Sequence, residues 1–191
     1  MPIHRMCNTS ERFFVKRIVT IICLILVFFG TFCTVSANSV NRRWQYPTKI
    51  KTYIPQNHKR TIMMKHAFAE WSRLTNNKII FRYVDSPKMA QVVVQFVNVV
   101  PNAEREIGLT KSSFTSAGGM LRATIYIAEK TSSGYQLGKD AVYTVMLHEI
   151  GHAIGINEHS ADPLSIMYPT EDDRQEILKS DLRNLAKIYG W

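Results

Sequence analysis

The residues best suited to chemistry lie in one short segment, residues 148–159, which reads H-E-I-G-H-A-I-G-I-N-E-H. His148 and His152 are four positions apart, so on a helix both imidazoles leave the same face and converge. Converging imidazoles suit a tetrahedral zinc ion. Glu149 is turned by about 100° from His148, so its carboxylate lies beside such a metal and can accept a proton from water. The spacing H-E-x-x-H therefore predicts a zinc site with an adjacent general base.

The structural alternative is an amphipathic helix with two solvated histidines. It fits poorly, because apolar residues surround the motif and leave little polar face for the histidines: Val145, Met146, Leu147 and Ile150. A catalytic zinc also needs a third protein ligand and an open position. Gly155 allows the chain to leave the helix in a left-handed turn, and the loop beyond it offers Glu158, His159 and Asp162.

At this point the sequence resembles the metzincin metallopeptidases, whose pattern is H-E-x-x-H-x-x-G-x-x-H followed by a Met-turn. It is most similar to the matrixin branch, the matrix-metalloproteinase type, in which Ser follows the third His as Ser160 follows His159. Residues 165–169, S-I-M-Y-P, are similar to the Met-turn of that branch, with Met167 beneath the metal. The similarity covers nearly all of residues 42–191 and is weakest at 101–122.

The resemblance implies an α+β, zincin-like fold: a mixed twisted sheet with an active-site helix, a second helix and a C-terminal helix. It implies a zinc endopeptidase that hydrolyses protein or peptide substrates. His148, His152 and His159 would bind the metal, and Glu149 would be the general base. Asp181 would brace the Met-turn, although an acid in the second position of a helix also stabilises its N-terminus.

The position of the third ligand departs from the family pattern. The third His of the family lies three residues after the Gly, and Glu158 occupies that position here. Either the loop absorbs one extra residue and His159 binds, or Glu158 binds at the regular spacing, since carboxylates also ligate zinc. The serine after His159 favours His159.

Three further departures concern accessory features. Matrixins often carry a loop for structural zinc and calcium, but residues 101–122 contain no His and no Asp, so the structural zinc is not expected and no calcium site is identifiable. Latency through a propeptide cysteine is excluded if the leader is removed, because all three cysteines lie before residue 34. Glu171 replaces the tyrosine that follows the Met-turn in the family, which leaves the wall of the specificity pocket undefined.

Hydrophobic periodicity predicts the elements that must position these residues. Strands are expected at 50–55, 78–84 and 91–100, the last buried on both faces, and a helix is expected at Thr61–Asn76. Residues 101–122 are expected to be loop. Residues 124–128 are expected to form a short strand, and at the edge of the sheet such a strand could pair with an extended peptide. Asp140 is the expected N-cap of the active-site helix and Ser180 that of the last helix.

The first 37 residues differ from the rest of the chain of 191 residues. Four basic residues precede an apolar run over 18–35, and Val35-Ser36-Ala37 completes the pattern of a secretory signal. We therefore expect a signal peptide or signal-anchor at 1–37 and a catalytic domain at 38–191. The domain would be secreted, extracellular or periplasmic, or else anchored in a membrane by residues 18–35. Without cysteines after the leader, its stability must come from a core, a metal or both.

Charge adds little about partners. The whole chain has a net charge of +9, and the part after the leader has +6, from 20 Lys and Arg against 14 Asp and Glu. The basic residues of that part are scattered, without the clustered stripe that nucleic-acid binding needs, so no nucleic-acid partner is expected. We expect a monomer. Two alternatives of other classes are a zinc-binding envelope protein without proteolytic activity, against which Glu149 counts, and a membrane-tethered interaction module.

Overall fold

A computed structural model describes residues 42–191 except 102, 104, 105 and 171. Five strands form one mixed sheet in the order β2-β1-β3-β5-β4. The strands are β1 (Ile50–Tyr53), β2 (Phe81–Tyr83), β3 (Val92–Val97), β4 (Gly108–Phe114) and β5 (Met120–Ala128). The helices are α1 (Thr61–Leu74), α2 (Lys139–Ala153) and α3 (Lys179–Tyr189). The expected α+β architecture with three helices is confirmed.

The sheet is parallel except at one edge. β1 pairs in parallel with β2 and β3, and β3 pairs in parallel with β5. β4 pairs antiparallel with β5, with a register shift between Ser113 and Phe114. The hairpin of β4 and β5 therefore leaves β4 with one unpaired side within the described sheet.

One core joins the sheet to helices α1 and α2. Alternate strand residues are fully buried, among them Ile50, Val92, Val94, Ile125 and Ile127. They pack with the apolar stripe of α1, which includes Phe68 and Trp71, and with α2, which is buried along most of its length. The Trp71 indole Nε1 donates a hydrogen bond to the carbonyl oxygen of Leu147 (2.9 Å), which ties α1 to the middle of α2.

Two predictions about the strands were wrong. Residues 101–122 were expected to be loop but contain β4, and β5 begins at Met120 rather than Thr124. The strand at 124–128 was expected at the edge, but β5 lies between β3 and β4. The weak alternation of G-L-T-K-S-S-F concealed β4, because its small and polar residues face a cleft and solvent rather than a continuous core.

Two predicted helix caps were also wrong. Gly138 is the N-cap of α2, so Asp140 lies within the first turn, and Leu178 is the N-cap of α3, so Ser180 lies inside that helix. The three strands predicted first are present but shorter than expected. β3 is only partly buried on both faces, since Val92, Val93 and Val94 are buried and Gln95 is exposed.

The expected leader at 1–37 and the possible anchor at 18–35 lie outside the described residues. Among the described residues, no helix is both long enough and apolar enough to cross a bilayer.

Candidate metal centre

Helix α2 presents two histidines at the wall of a cleft, and backbone carbonyls fix both rings. His148 Nδ1 donates to the carbonyl oxygen of Ile166 (2.7 Å), and His152 Nδ1 donates to that of Ile156 (2.6 Å). Because a carbonyl only accepts, each Nδ1 carries the hydrogen, and each neutral ring keeps a bare Nε2 lone pair. The two Nε2 atoms lie 3.0 Å apart.

Burial keeps this pair neutral. Loss of solvation, followed by the repulsion of a charged His152, lowers the pKa of His148 to about 4, although its bond to Ile166 opposes the shift. Loss of solvation likewise lowers the pKa of His152. Neutral imidazole is the form that binds a metal, so both rings are in the binding form at neutral pH.

His159 completes the cluster from the loop that follows α2. Its ring centroid lies 5.3 Å from that of His148 and 5.1 Å from that of His152. The three histidines offer nitrogen atoms that all lie within 4.8 Å of one another, as a metal ion would require. Glu158 is exposed and lies outside this cluster.

The turn between His152 and His159 depends on Gly155 and on two distant side chains. Gly155 has φ +113°, which only glycine adopts without strain, and a Cβ there would lie 2.5 Å from the carbonyl oxygen of Arg42. The free carbonyls at the helix end are capped: Trp44 Nε1 donates to Ala153 (2.9 Å), and the Tyr189 hydroxyl donates to Ile154 (2.9 Å).

Glu149 is buried between α2 and the edge strand. The Thr110 hydroxyl lies 2.6 Å from Glu149 Oε2 and 2.9 Å from the carbonyl oxygen of the same residue, and can donate its single proton to either. A Cβ at Gly108 would lie 2.5 Å from Val145 Cγ1 and 2.7 Å from Glu149 Oε1. Glycine at 108 therefore lets β4 approach α2 closely enough for Thr110 to hold the carboxylate.

The segment that was expected to be a Met-turn lies beneath the two helical histidines. Met167 is buried, and a Cβ on Gly151 of α2 would collide with its sulfur atom. The Ser165 hydroxyl accepts from the backbone N–H of Met167 (3.0 Å) and donates to Asp181 Oδ1 (2.6 Å).

Asp181 joins this turn to α3. Its Oδ2 accepts from the backbone N–H of Leu178 at the N-cap (2.9 Å), so it both braces the turn and caps the helix. The two roles considered for this residue are performed together. Burial raises the pKa of Asp181, while the bonds from Ser165 and Leu178 oppose the shift.

A cleft of about 610 Å³ contains these groups. It is lined by the three histidines, by Glu149 and by residues of β4, which are Gly108, Leu109, Thr110, Ser112 and Phe114. Sequence reasoning missed Gly108, Thr110 and Arg42, which also lines the cleft. A signal for the residues of β4 was present in the sequence, because Thr110, Ser112 and Phe114 alternate with a period of two and so share one face of a strand. Glu171 lies outside the described residues.

The two other histidines among the described residues, His58 and His66, lie away from this cluster. His58 stacks on Phe96 with ring centroids 4.0 Å apart, and its Nε2 lies 2.7 Å from Glu129 Oε1. His66 is exposed on α1.

Comparison with known proteins agrees with this arrangement. The matrixin family, Peptidase_M10, matches residues 40–190. The chain is 31% identical over 138 residues to a probable matrix metalloproteinase 095L of Invertebrate iridescent virus 3, which covers 68% of this chain and 37% of that protein. It is 33% identical to human matrilysin over 66 residues, 32% of this chain and 24% of that protein.

A further relative is matrix metalloproteinase-A of Caenorhabditis elegans, 26% identical over 66% of this chain and 25% of that protein. The chain thus spans about a quarter to two fifths of the length of these relatives. A solved structure of myroilysin has a TM-score of 0.48 and 13% identity, covering 78% of this chain and 96% of that one.

The match over most of its length shows that the chain belongs to the matrixin family of metallopeptidases. The resemblance to matrixins that the sequence predicts is confirmed, and the family implies a catalytic zinc ion.

Proposed function

We propose that this protein is a zinc-dependent endopeptidase in which His148, His152 and His159 bind the metal and Glu149 is the general base. The observation that carries the proposal is the pair of bare Nε2 lone pairs 3.0 Å apart. Two such lone pairs repel each other unless a cation lies between them. Nitrogens bound to tetrahedral zinc at about 2.0–2.1 Å lie about 3.3 Å apart, so the spacing fits zinc closely.

The donor set also favours a catalytic site over a structural one. Three imidazoles would leave a fourth position open, as in catalytic zinc sites, and the three histidines line the same cleft as Glu149. Carbonyl bonds to Nδ1 of His148 and His152 fix the ring orientations, as hydrogen-bond partners of metal-binding histidines commonly do. His159 is preferred over Glu158 because its ring joins the cluster.

The chemistry divides between the metal and Glu149. A zinc ion held there supplies Lewis acidity, which acidifies water and polarises a peptide carbonyl. Glu149 accepts a proton from the attacking water and delivers it to the nitrogen of the departing amine. Thr110 holds the carboxylate by hydrogen bonding to Oε2.

The edge of β4 is the proposed site of peptide binding. Its unpaired main-chain groups run along the cleft, and an extended peptide can add to the sheet there. This replaces β5, for which the same role was expected but which is paired on both sides.

The proposal extends to location. The n-region, apolar run and small-residue exit at 1–37 support an export signal that delivers the catalytic domain outside the cell or into a periplasm. Retention of residues 18–35 would instead anchor it. Mass spectrometry of the mature N-terminus distinguishes the two outcomes.

The test of the proposed function compares zinc content and casein cleavage in the wild type, Glu149→Gln, His159→Ala and Glu158→Ala. We expect Glu149→Gln to keep zinc and to lose activity by about 10²- to 10⁴-fold, the range for a general base. We expect His159→Ala to lose both zinc and activity, with Glu158→Ala close to wild type.

Undiminished cleavage by Glu149→Gln would exclude the proteolytic mechanism. A zinc-binding wild type that cleaves no protein or peptide would favour the alternative, an envelope protein without proteolytic activity. Loss of zinc in Glu158→Ala but not in His159→Ala would reassign the third ligand.

A further inference from the structure

One end of the cleft carries a cation that the proposed mechanism does not use. Arg42 Cζ lies 4.8 Å from the centroid of the Phe114 ring, and both residues line the cleft that contains the histidine cluster and Glu149. Phe114 is the last residue of β4, so Arg42 lies where the edge strand ends.

The main chain that follows this arginine is held in place. The carbonyl oxygen of Arg42 packs against Gly155. The next residue, Arg43, accepts a hydrogen bond from the backbone N–H of Met120 (2.9 Å) and donates one from its guanidinium to the carbonyl oxygen of Ile188 (3.1 Å). Stacking on Phe114 further restricts the Arg42 side chain, so less conformational entropy remains to be lost when it binds a partner.

The two ends of the cleft carry opposite charges. None of the ion pairs among the described residues involves Arg42, so its guanidinium stays available to a ligand. Glu106 lines the cleft just before β4 begins. A peptide lying along β4 therefore meets a carboxylate at one end and a guanidinium at the other.

The spacing along β4 indicates which substrate side chain reaches the arginine. Thr110, which binds Glu149, marks the reacting centre, and Phe114 lies four residues further, about 13 Å at a rise of about 3.3 Å per residue. A peptide extended along β4 has the same rise, so its side chain about three to five residues from the scissile bond lies near Arg42.

We propose that Arg42 is a specificity determinant that selects peptides with an aspartate or glutamate at this distance, on the side of the bond that faces Phe114. The proposal rests on the proposed endopeptidase function. A guanidinium recognises a carboxylate through charge and paired N–H donors. Because the contact is partly exposed, we expect a gain of roughly two- to fivefold in kcat/KM.

The experiment uses the full chain loaded with zinc and a quenched fluorescent peptide derived from a casein cleavage site. A single Asp is moved through each position within five residues on both sides of the cleaved bond. We expect kcat/KM to rise at a position three to five residues away, on one side only, and to lose this gain in Arg42→Gln.

Arg82→Gln is the matched control. It removes the same charge from an exposed position on β2, at the opposite edge of the sheet, and should keep the preference. Arg42→Glu should prefer Lys at the same peptide position. An Asp profile that is the same in Arg42→Gln and wild type, or that shows no preferred position, would overturn the proposal.

A binding measurement separates this proposal from the proposed function. Zinc-loaded Glu149→Gln is titrated into the same labelled peptides, with fluorescence anisotropy as the readout. Tighter binding of one Asp peptide that depends on Arg42 supports the selectivity even if the wild type cleaves nothing, in which case only the proposed function fails. Equal binding of all the peptides overturns the selectivity even if cleavage is efficient.

Discussion

At the scale of single residues, the chemical roles of the two histidines and the glutamate in the H-E-x-x-H segment depend on hydrogen-bond partners outside that segment. Carbonyl oxygens of Ile166 and Ile156 determine which nitrogen of each helical histidine carries the hydrogen. Thr110, on a different element, holds the carboxylate of Glu149. The motif specifies two imidazoles and a carboxylate. The three partners determine which imidazole nitrogen carries the hydrogen and how the carboxylate is oriented.

The Thr110 contact leads to a prediction. Thr110→Val keeps the shape of the side chain but removes the hydroxyl that holds Glu149 Oε2, so the carboxylate loses this contact and is oriented less firmly. We expect kcat for peptide cleavage to fall by about tenfold, consistent with a charge-assisted hydrogen bond of about 1.5 kcal/mol. Zinc content should not change, because Thr110 is not in the histidine cluster.

Thr110→Ser is the matched control, since it keeps the hydroxyl, and it should retain most of the activity. A Thr110→Val enzyme with the kcat of the wild type would show that Glu149 is positioned without this contact.

At the scale of elements, the site depends on how closely β4 approaches α2. Gly108 is the residue that permits this approach, because a Cβ there would overlap Val145 and Glu149. The hairpin of β4 and β5 thus brings Thr110 and the unpaired edge to the same cleft.

Gly108→Ala tests this dependence. The added methyl forces β4 away from α2, and overpacking of this kind costs about 1–3 kcal/mol. We expect the free energy of unfolding, measured with urea, to fall by that amount, and peptide cleavage to fall with it. Gly119→Ala is the control: it lies in the same hairpin, and its Cβ would meet the Thr115 side chain at ordinary distances, 3.4 Å to Oγ1 and 4.0 Å to Cγ2.

We expect Gly119→Ala to stay within about 0.5 kcal/mol of wild type, as surface substitutions usually do. Equal stability of the two variants would mean that β4 adjusts its position without cost.

The elements also show what could be predicted from the sequence. The helix at 61–74 follows from apolar periodicity, because it buries one apolar stripe. The active-site helix follows from the apolar residues that surround the H-E-x-x-H motif, because it is buried on nearly all sides. β4 could not be predicted from apolar periodicity, because its polar residues face the cleft and its glycine, Gly108, packs closely against α2. The N-caps were predicted at the wrong residues. Asp140 and Ser180 are of types that commonly cap helices. The extended residue before each helix is instead Gly138 for α2 and Leu178 for α3, and neither type marks an N-cap in the sequence.

The third member of the histidine cluster shows what the sequence could not predict about the site. Spacing alone left both Glu158 and His159 open, since a loop can absorb one residue at little cost. The left-handed turn at Gly155 and the capped end of α2 direct His159 towards the other two rings. Those caps come from Trp44 and Tyr189, which no local pattern connects to residue 159.

At the scale of the whole molecule, the buried histidines link stability to pH. In the metal-free chain the pKa of His148 is lowered to about 4 and that of His152 is also lowered, mainly by burial. An unfolded histidine titrates near 6.5, so the unfolded state binds more protons between these values. The stability that these neutral rings contribute is complete above about pH 6.5 and is lost as the pH falls towards 4.

We therefore expect the free energy of unfolding of the chelator-treated chain to fall between pH 7 and pH 4.5. The difference should be smaller in a His148→Gln and His152→Gln double variant, while His66→Gln, an exposed histidine on α1, should behave as the wild type does. Parallel pH profiles for the double variant and wild type would contradict the burial effect.

The hydrogen bonds at the end of α2 also bear on how the molecule folds. Trp44 is separated from Ala153 by 109 residues, and the backbone N–H of Trp44 also meets the Tyr189 hydroxyl across 145 residues. Contacts between such distant positions form slowly, because a long loop must close first. The turn that carries His159 therefore gains its hydrogen bonds only after Trp44 and Tyr189 have packed against the end of α2. We therefore expect the helices and the hairpin to form first, and the proposed metal site to become complete only late in folding.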